Sequence, residues 1–176
     1  DKVLVCGAGP IGLCTVMALR YRGIDNIVVA DQSAQRLDLA RQLGANATCQ
    51  VPQQDLLPLL QEQQDGSSHY GMPVADTDLI IEATGVGAVL EQCISLARPG
   101  ARVVVVGVHK APIPINPLDL LMKELHLIGS MAYPHEFPAV IAMLSSGTLD
   151  TSLLISHEFV LDEFDILPRL LSPRYT

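Results

Sequence analysis

Short runs of aliphatic and β-branched residues alternate along the chain with longer segments whose apolar residues recur at helical spacing. Val3, Leu4, Val5 and Cys6 make the first run, and residues 11–20 a helix that is apolar all round and therefore expected to be buried. Ile27, Val28, Val29 and Ala30 make the second run. A helix over 33–43 follows, with Leu37, Leu39, Ala40 and Leu43 on a shared side and Gly44 placed to end it. A short third strand at 47–49 leads to a helix around Leu56, Leu57, Leu59 and Leu60, whereas residues 61–78, polar and rich in Gly, Ser and Gln, read as a surface loop. The alternation resumes with a strand at 79–81, a helix at 88–97 closed by Pro99 and Gly100, and a strand at 102–108 carrying four consecutive valines. Pro117 starts a short helix to Lys123, and 125–129 makes a sixth strand.

Strands separated by helices of about ten residues imply parallel βαβ units, whose crossovers are right-handed in nearly all cases. The expected fold class is α/β, a doubly wound six-stranded parallel sheet with helices on both faces. It occupies residues 1–150, ending with a helix at 137–145. The apolar runs at 156–160 and 161–171 have no place in a minimal six-strand unit, so 151–176 is read as a C-terminal tail.

Composition narrows the picture. Of 176 residues, 49% are hydrophobic but only 4% aromatic, with no Trp, which suits one core around an aliphatic sheet covered on both sides. The net charge is −8 and Lys and Arg are scattered, so no footprint for nucleic acid exists and none is expected as a partner. Cys6, Cys14, Cys49 and Cys93 form no C-x-x-C pair and have no His at ligand spacing, which argues against a metal site and for reduced thiols in the cytoplasm. Residues 3–19 are uncharged, but fall short of the ~20 needed to span a bilayer and are broken by Gly7, Gly9, Pro10 and Gly12. No basic segment precedes them, so neither a membrane span nor a signal peptide is expected.

Gly7-Ala8-Gly9-Pro10-Ile11-Gly12 has G-x-G-x-x-G spacing and stands between a predicted strand and a predicted helix. In a Rossmann-type fold the first glycine allows the tight turn. The second lets the backbone approach a pyrophosphate, and the third lets helix and strand pack closely. The N–H groups of the helix start then hold the diphosphate. A glycine-rich turn without a ligand would look the same in isolation. Asp31, nineteen residues beyond Gly12 at the end of the second strand, adds the acceptor for adenosine ribose hydroxyls. It also suits the N-cap of the next helix, and the two roles can coexist. Its carboxylate would repel the 2′-phosphate of NADP, and a charged hydrogen bond of ~1.5–3 kcal/mol implies tenfold or better preference for NAD. Arg36, placed to lie over the adenosine, could tolerate that phosphate.

Together with GAGPIG, several segments resemble the zinc-type medium-chain dehydrogenases: Asp31, Arg36 to Ala40, Leu43-Gly44-Ala45, Glu82-Ala83-Thr84-Gly85 and Arg98 to Val103. Lys123-Glu124-Leu125 through Gly129-Ser130, and the stretch around Ile155-Ser156-His157, are closest to the branch of polyol, threonine and butanediol dehydrogenases. The resemblance implies an NAD(H)-binding oxidoreductase domain, with Thr84 and Gly85 against the adenosine half of the cofactor. It places Val106, Gly107, Val108, Ser130 and Met131 at the nicotinamide end. It also implies a homodimer through the edge strand 125–129, and zinc and proton-relay groups only in a catalytic domain that this chain lacks. The chain is accordingly expected to be an inactive fragment of an alcohol or polyol dehydrogenase, with no catalytic residue and no metal ligand of its own. A standalone non-catalytic binding module and a zinc-free quinone-reductase-like enzyme, which would favour NADP, are the competing readings. Flavin and S-adenosylmethionine sites share the glycine-rich turn but fit the later turns less well.

The other conspicuous residues read as structural. His109, after the fifth strand, is expected in a solvent-facing loop, and His126 and His157 as partly buried. Cys14 and Cys93 are expected to pack as small hydrophobes, and Met17, Met122 and Met143 to fill the core. Glu82 reads equally as a hydrogen-bond acceptor at a strand end or as a ligand contact.

Overall fold

A computed structural model describes residues 1–133 and 135–162. Strands β1 (Lys2–Cys6), β2 (Asn26–Asp31) and β3 (Ala47–Gln50) alternate with helices α1 (Pro10–Tyr21) and α2 (Ala34–Gln42), and α3 (Leu56–Gln64) follows. A hairpin of β4 (Gly66–His69) and β5 (Met72–Ala75) precedes β6 (Leu79–Glu82), α4 (Gly87–Leu96) and β7 (Arg102–Val105). The order ends with α5 (Pro117–Lys123), β8 (His126–Gly129) and α6 (Phe137–Ser145). Six strands form one parallel sheet in the order β3-β2-β1-β6-β7-β8, as the alternation predicted, and β4 and β5 pair antiparallel apart from it.

The unbroken aliphatic runs are explained by the sheet's two covered faces. Side chains alternate along a strand. Leu4, Val28, Ile80 and Val103 therefore pack with Leu56 and Leu60 of α3 and Leu90 and Ile94 of α4. Val3, Val5, Ile27, Val29 and Ile81 pack on the other face with Leu13, Val16 and Met17 of α1 and Leu37 and Ala40 of α2. The strand residues Val3, Leu4, Val5, Ile27, Val28 and Val29 have no exposed surface, and each such side chain contributes ~1.5–3 kcal/mol by leaving water.

Four expectations are corrected. Helix α1 is not buried all round: Leu13, Val16, Met17 and Leu19 face the sheet, while Ile11 and Cys14 face solvent. One helix on a sheet can bury only the side that meets it, whatever its composition. Residues 61–78 are not one loop. Helix α3 runs to Gln64, and of the hairpin's strands β4 is polar, while β5 is a four-residue apolar stretch interrupted by Pro73, so neither shows the alternation that would have revealed it. Gln64 is fully buried at this point. Its Nε2 donates to the Val3 carbonyl (3.0 Å) and Asn26 Oδ1 (3.1 Å), and its Oε1 accepts from Thr77 Oγ1 (2.6 Å). The strand expected at 102–108 stops at Val105, because Val106 N makes the last ladder bond, to the Glu82 carbonyl, and Gly107 N turns back to the same oxygen (2.9 Å each). Finally, α5, β8 and α6 bury no residue, so His126 and Met122 are exposed.

His157 is exposed as well. Of the tail, Thr151–Leu154 forms a single 3-10 turn, with Leu153 and Leu154 against the α1 side of the core. Residues 155–160 have no regular structure, and of the run at 161–171 all but the first two residues lie outside the described part. No described helix is long and apolar enough to cross a membrane.

Candidate functional site

The strand order reverses at β1, which leads outward to β2 and β3 on one side and pairs with β6 on the other. In open α/β sheets the crevice at the carboxyl ends of such strands is where ligands sit. Here a cavity of about 470 Å³ opens at that point, lined among others by Gly7, Gly9, Asp31, Arg36, Ala83 and Thr84.

The glycine motif builds its floor. Gly7 takes φ +102°, a conformation open to glycine, and its N–H donates to the Ala30 carbonyl (2.8 Å). A Cβ on Gly12 would overlap the Gly7 carbonyl oxygen, so the third glycine is what lets α1 start so close to β1. Gly9 is the N-cap of α1 and Pro10 its first residue, so no capping side chain competes for the open N–H groups of the first turn. These groups and the positive end of the helix suit an anion.

Asp31 ends β2 and joins the motif directly. Its Oδ2 accepts from Ala8 N (2.7 Å) and its Oδ1 from Ser33 N (2.8 Å). The N-cap of α2 is Ser33, whose Oγ accepts from Arg36 N (3.4 Å), so Asp31 is free of that duty. A carboxylate has about four lone-pair positions. Two therefore remain for ligand hydroxyls at the cavity wall.

Glu82, at the end of β6, is fully buried. Its Oε1 accepts from Thr84 N (2.7 Å), Gly85 N (2.9 Å) and Thr84 Oγ1, and its Oε2 is 2.8 Å from His109 Nε2. It is thus the strand-end acceptor of one sequence reading, and it explains how a carboxylate is tolerated without water. His109 is not the solvent-facing loop histidine expected: its side chain is only 12% exposed, because the segment after β7 folds back over Glu82. The two turns meet closely. A Cβ on Gly107 would stand 2.6 Å from Glu82 Oε2, and one on Gly85 (φ +72°) 2.5 Å from the Val108 carbonyl oxygen.

The remaining predicted positions lie at the same carboxyl edge. Pro10 and Ile11 are exposed at the start of α1. Val106 is half-buried against the α1 side of the core, whereas Val108 is exposed. Ser130 N donates to the Val105 carbonyl (3.0 Å), and Met131 next to it is exposed. Of the predicted positions Gly7, Gly9, Asp31, Arg36 and Thr84 line the cavity, whereas Pro10, Ile11, Gly12, Gly85, Val106, Gly107, Val108, Ser130 and Met131 do not. Sequence reasoning missed Gln32, Ser33, Val51, Val86 and Gln92 in the cavity wall. Gln32 and Ser33 adjoin Asp31 and were within reach of the motif, but Val51 and Gln92 carry no local signal.

Cys6, beneath the glycine turn, is buried with its Sγ 3.6 Å from that of Cys93, and the bond to Cys6 and burial push the Cys93 thiol well up. Such thiols are inert. Cys14 is exposed and does not pack as expected. Among the described residues no group of His, Cys, Asp and Glu could hold a metal ion.

Comparison with known proteins agrees with this geometry. Over residues 10–146 the chain matches the zinc-binding dehydrogenase family. It is 32% identical to the sorbitol dehydrogenase of Pongo abelii over 162 residues, 92% of this chain and 44% of that protein. It superposes with a TM-score of 0.85 and 31% identity on a short chain alcohol dehydrogenase of E. coli CFT073 complexed with NADH, covering 99% of this chain and 50% of the other. A structure from Sinorhizobium meliloti 1021 bound to NADP superposes with a TM-score of 0.79 at 27% identity, covering 95% of this chain and 48% of the other. The chain spans about half the length of these relatives. With its six-strand sheet and glycine-rich turn at the switch point, the chain belongs to the zinc-binding dehydrogenase family, as its cofactor-binding domain.

Proposed function

We propose that this domain binds NAD(H) in preference to NADP(H), and serves an alcohol or polyol dehydrogenase that passes hydride between a secondary alcohol carbon and the cofactor. The observation that carries the reading is the Asp31 carboxylate in the cavity wall, held by Ala8 N and Ser33 N with acceptor capacity to spare. When bound, the nicotinamide ring supplies the hydride acceptor. The chain's own groups bind and orient. The turn of Gly7, Gly9, Pro10, Ile11 and Gly12 cradles the diphosphate, with the N–H groups coming from the first turn of α1 at Ile11 and Gly12, since Pro10 has none and that of Gly7 is held by the Ala30 carbonyl, and Asp31 accepts from the adenosine ribose. Arg36, Thr84 and Gly85 flank the adenosine half, and Val106, Gly107, Val108, Ser130 and Met131 bound the nicotinamide half. Zinc ligands and proton-relay groups are assigned to the portion of the relatives that this chain does not span, so the domain alone binds without turnover. Residues 1–150 form the dinucleotide-binding unit, and the tail from 151 leads toward that portion.

Two further features fit this reading. β8 is an edge of the sheet with Leu127 and Ile128 exposed, which supports a homodimer through 125–129. A sedimentation mass of one chain at working concentration would count decisively against it. Four free cysteines, Cys6, Cys49 and Cys93 buried and Cys14 exposed, suit the cytoplasm.

Calorimetric titration of the chain with NADH, NAD and NADP, beside an assay on secondary alcohols, tests the proposal. Tighter binding of NAD than of NADP by about tenfold or more, without turnover, is expected. No binding by the folded chain would overturn it. Arg36 in the cavity wall and the NADP-bound relative favour a second reading, dual use of both cofactors. Equal affinities in the same titration would establish that reading instead.

A further inference from the structure

The glycine motif and Asp31 leave the buried Glu82 and His109 pair unused, yet it sits where two turns of the cleft meet. Glu82 fixes both turns. Its Oε1 takes Thr84 N, Gly85 N and Thr84 Oγ1 of the 83–85 turn, and its carbonyl takes Val106 N and Gly107 N. Those backbone bonds end at Gly107. His109 fastens the segment two residues further on, through Nε2 to Oε2 at 2.8 Å. A carboxylate has no proton to give, so Nε2–H donates. The buried Nδ1, which has no partner among the described residues, then presents a lone pair. An orphaned lone pair is less costly than an orphaned N–H. Without the imidazole, Oε2 would be a buried acceptor with no donor and 106–109 would be tethered to the 83–85 turn only at its start.

We infer that His109 is a positioning residue for the dinucleotide: through Glu82 it fixes the 106–108 segment against the 83–85 turn, and so shapes the cleft beyond the diphosphate. The inference rests on the dinucleotide reading and concerns one half of the ligand. Asp31 and its bonds to Ala8 and Ser33 do not involve His109, and Thr84 and Gly85 are held by Glu82 Oε1 and not by the oxygen that His109 meets, so the adenosine half does not depend on the imidazole. The two turns approach so closely that a Cβ on Gly107 would collide with Gly85 N.

The test is titration of the 176-residue chain with NADH, followed by nicotinamide fluorescence, and with AMP, followed by calorimetry. The unaltered chain, His109→Leu and His109→Gln are compared. Leu fills the space without a donor, whereas Gln restores an N–H toward Glu82. His109→Leu is expected to weaken NADH by about tenfold or more, to lose the emission shift of the bound nicotinamide, and to hold AMP within about twofold. His109→Gln is expected to recover NADH to within about threefold. The inference is overturned if His109→Leu binds NADH as the unaltered chain does, or loses AMP in equal proportion, as general damage would. Should His109→Leu not fold, His109→Gln decides, and its failure to fold or a tenfold loss of NADH overturns the inference. An unaltered chain that binds neither ligand overturns the dinucleotide reading and this inference with it, whereas binding of both with no response at His109 overturns this inference alone.

Discussion

Replacing Asp31 by Ala separates a ligand role from a structural one, because the two have different sizes and different readouts. The carboxylate accepts from Ala8 N and Ser33 N at 2.7 and 2.8 Å, so its loss strips two backbone donors of their acceptor. At ~1 kcal/mol each for partly exposed groups this is about 2 kcal/mol of stability. For a domain of this size it lowers the melting temperature by roughly 4–8 °C, leaving the chain folded at room temperature. The ligand term is separate. A charge-assisted bond to a ribose hydroxyl is worth ~1.5–3 kcal/mol, so NAD affinity falls about 10- to 100-fold. NADP loses the same bond but is relieved of a charge repulsion of ~1–4 kcal/mol at about 4 Å, so it loses less than NAD by that amount. The ratio of NAD to NADP affinity therefore drops by about fivefold or more. Calorimetry with both cofactors, beside circular dichroism melting, measures all three quantities. A variant that melts lower but keeps the original ratio would refute the reasoning, since damage to the turn alone weakens both cofactors equally.

Three further outcomes follow from the fold. Gly12→Ala forces a methyl group onto the Gly7 carbonyl, a backbone atom that cannot rotate away, and is expected to cost about 2 kcal/mol or more in urea unfolding together with NADH binding. Unchanged stability would show that α1 can shift. Gln64→Leu leaves the Val3 carbonyl, Asn26 Oδ1 and the Thr77 hydroxyl without their partner and is expected to destabilise by about 2–4 kcal/mol, with cofactor affinity retained because the network lies at the opposite sheet edge. For Asp78, burial pushes the carboxyl up, but the Arg98 side chain and Lys2 N–H together hold it below its ordinary 3.8. Such a group adds stability above pH 3.8 that is lost as pH falls through the lower folded value. Asp78→Asn is accordingly expected to be less stable at neutral pH and to show a flatter decline below pH 3.8. A decline as steep as the unaltered chain's would remove Asp78 from the account.

Much of the site was legible because it is local. Gly7, Gly9 and Gly12 are set by one strand-to-helix turn, and Asp31 by the end of the next strand, so spacing alone places them together. The hairpin at 66–75 was not legible, since its strands pair only with each other, β4 is polar, and Pro73 interrupts the short apolar β5 whose Val74 and Ala75 reach the core. His109 shows the same limit in sharper form. Its partner is 27 positions away, and only the backward fold of the segment after β7 turns a loop residue into a buried tether.

The sequence by itself determined the six strands, their parallel pairing and the glycine-rich turn, because aliphatic alternation and backbone freedom are properties of short stretches. It also determined that a carboxylate would stand at the end of β2. Only the tertiary structure decided which side of α1 is covered, that Ser33 and not Asp31 caps α2, and that Glu82 ties the two later turns together. Those outcomes depend on which groups meet across the sheet edge, and a buried carboxylate's partners are chosen by the space around it and not by its neighbours along the chain.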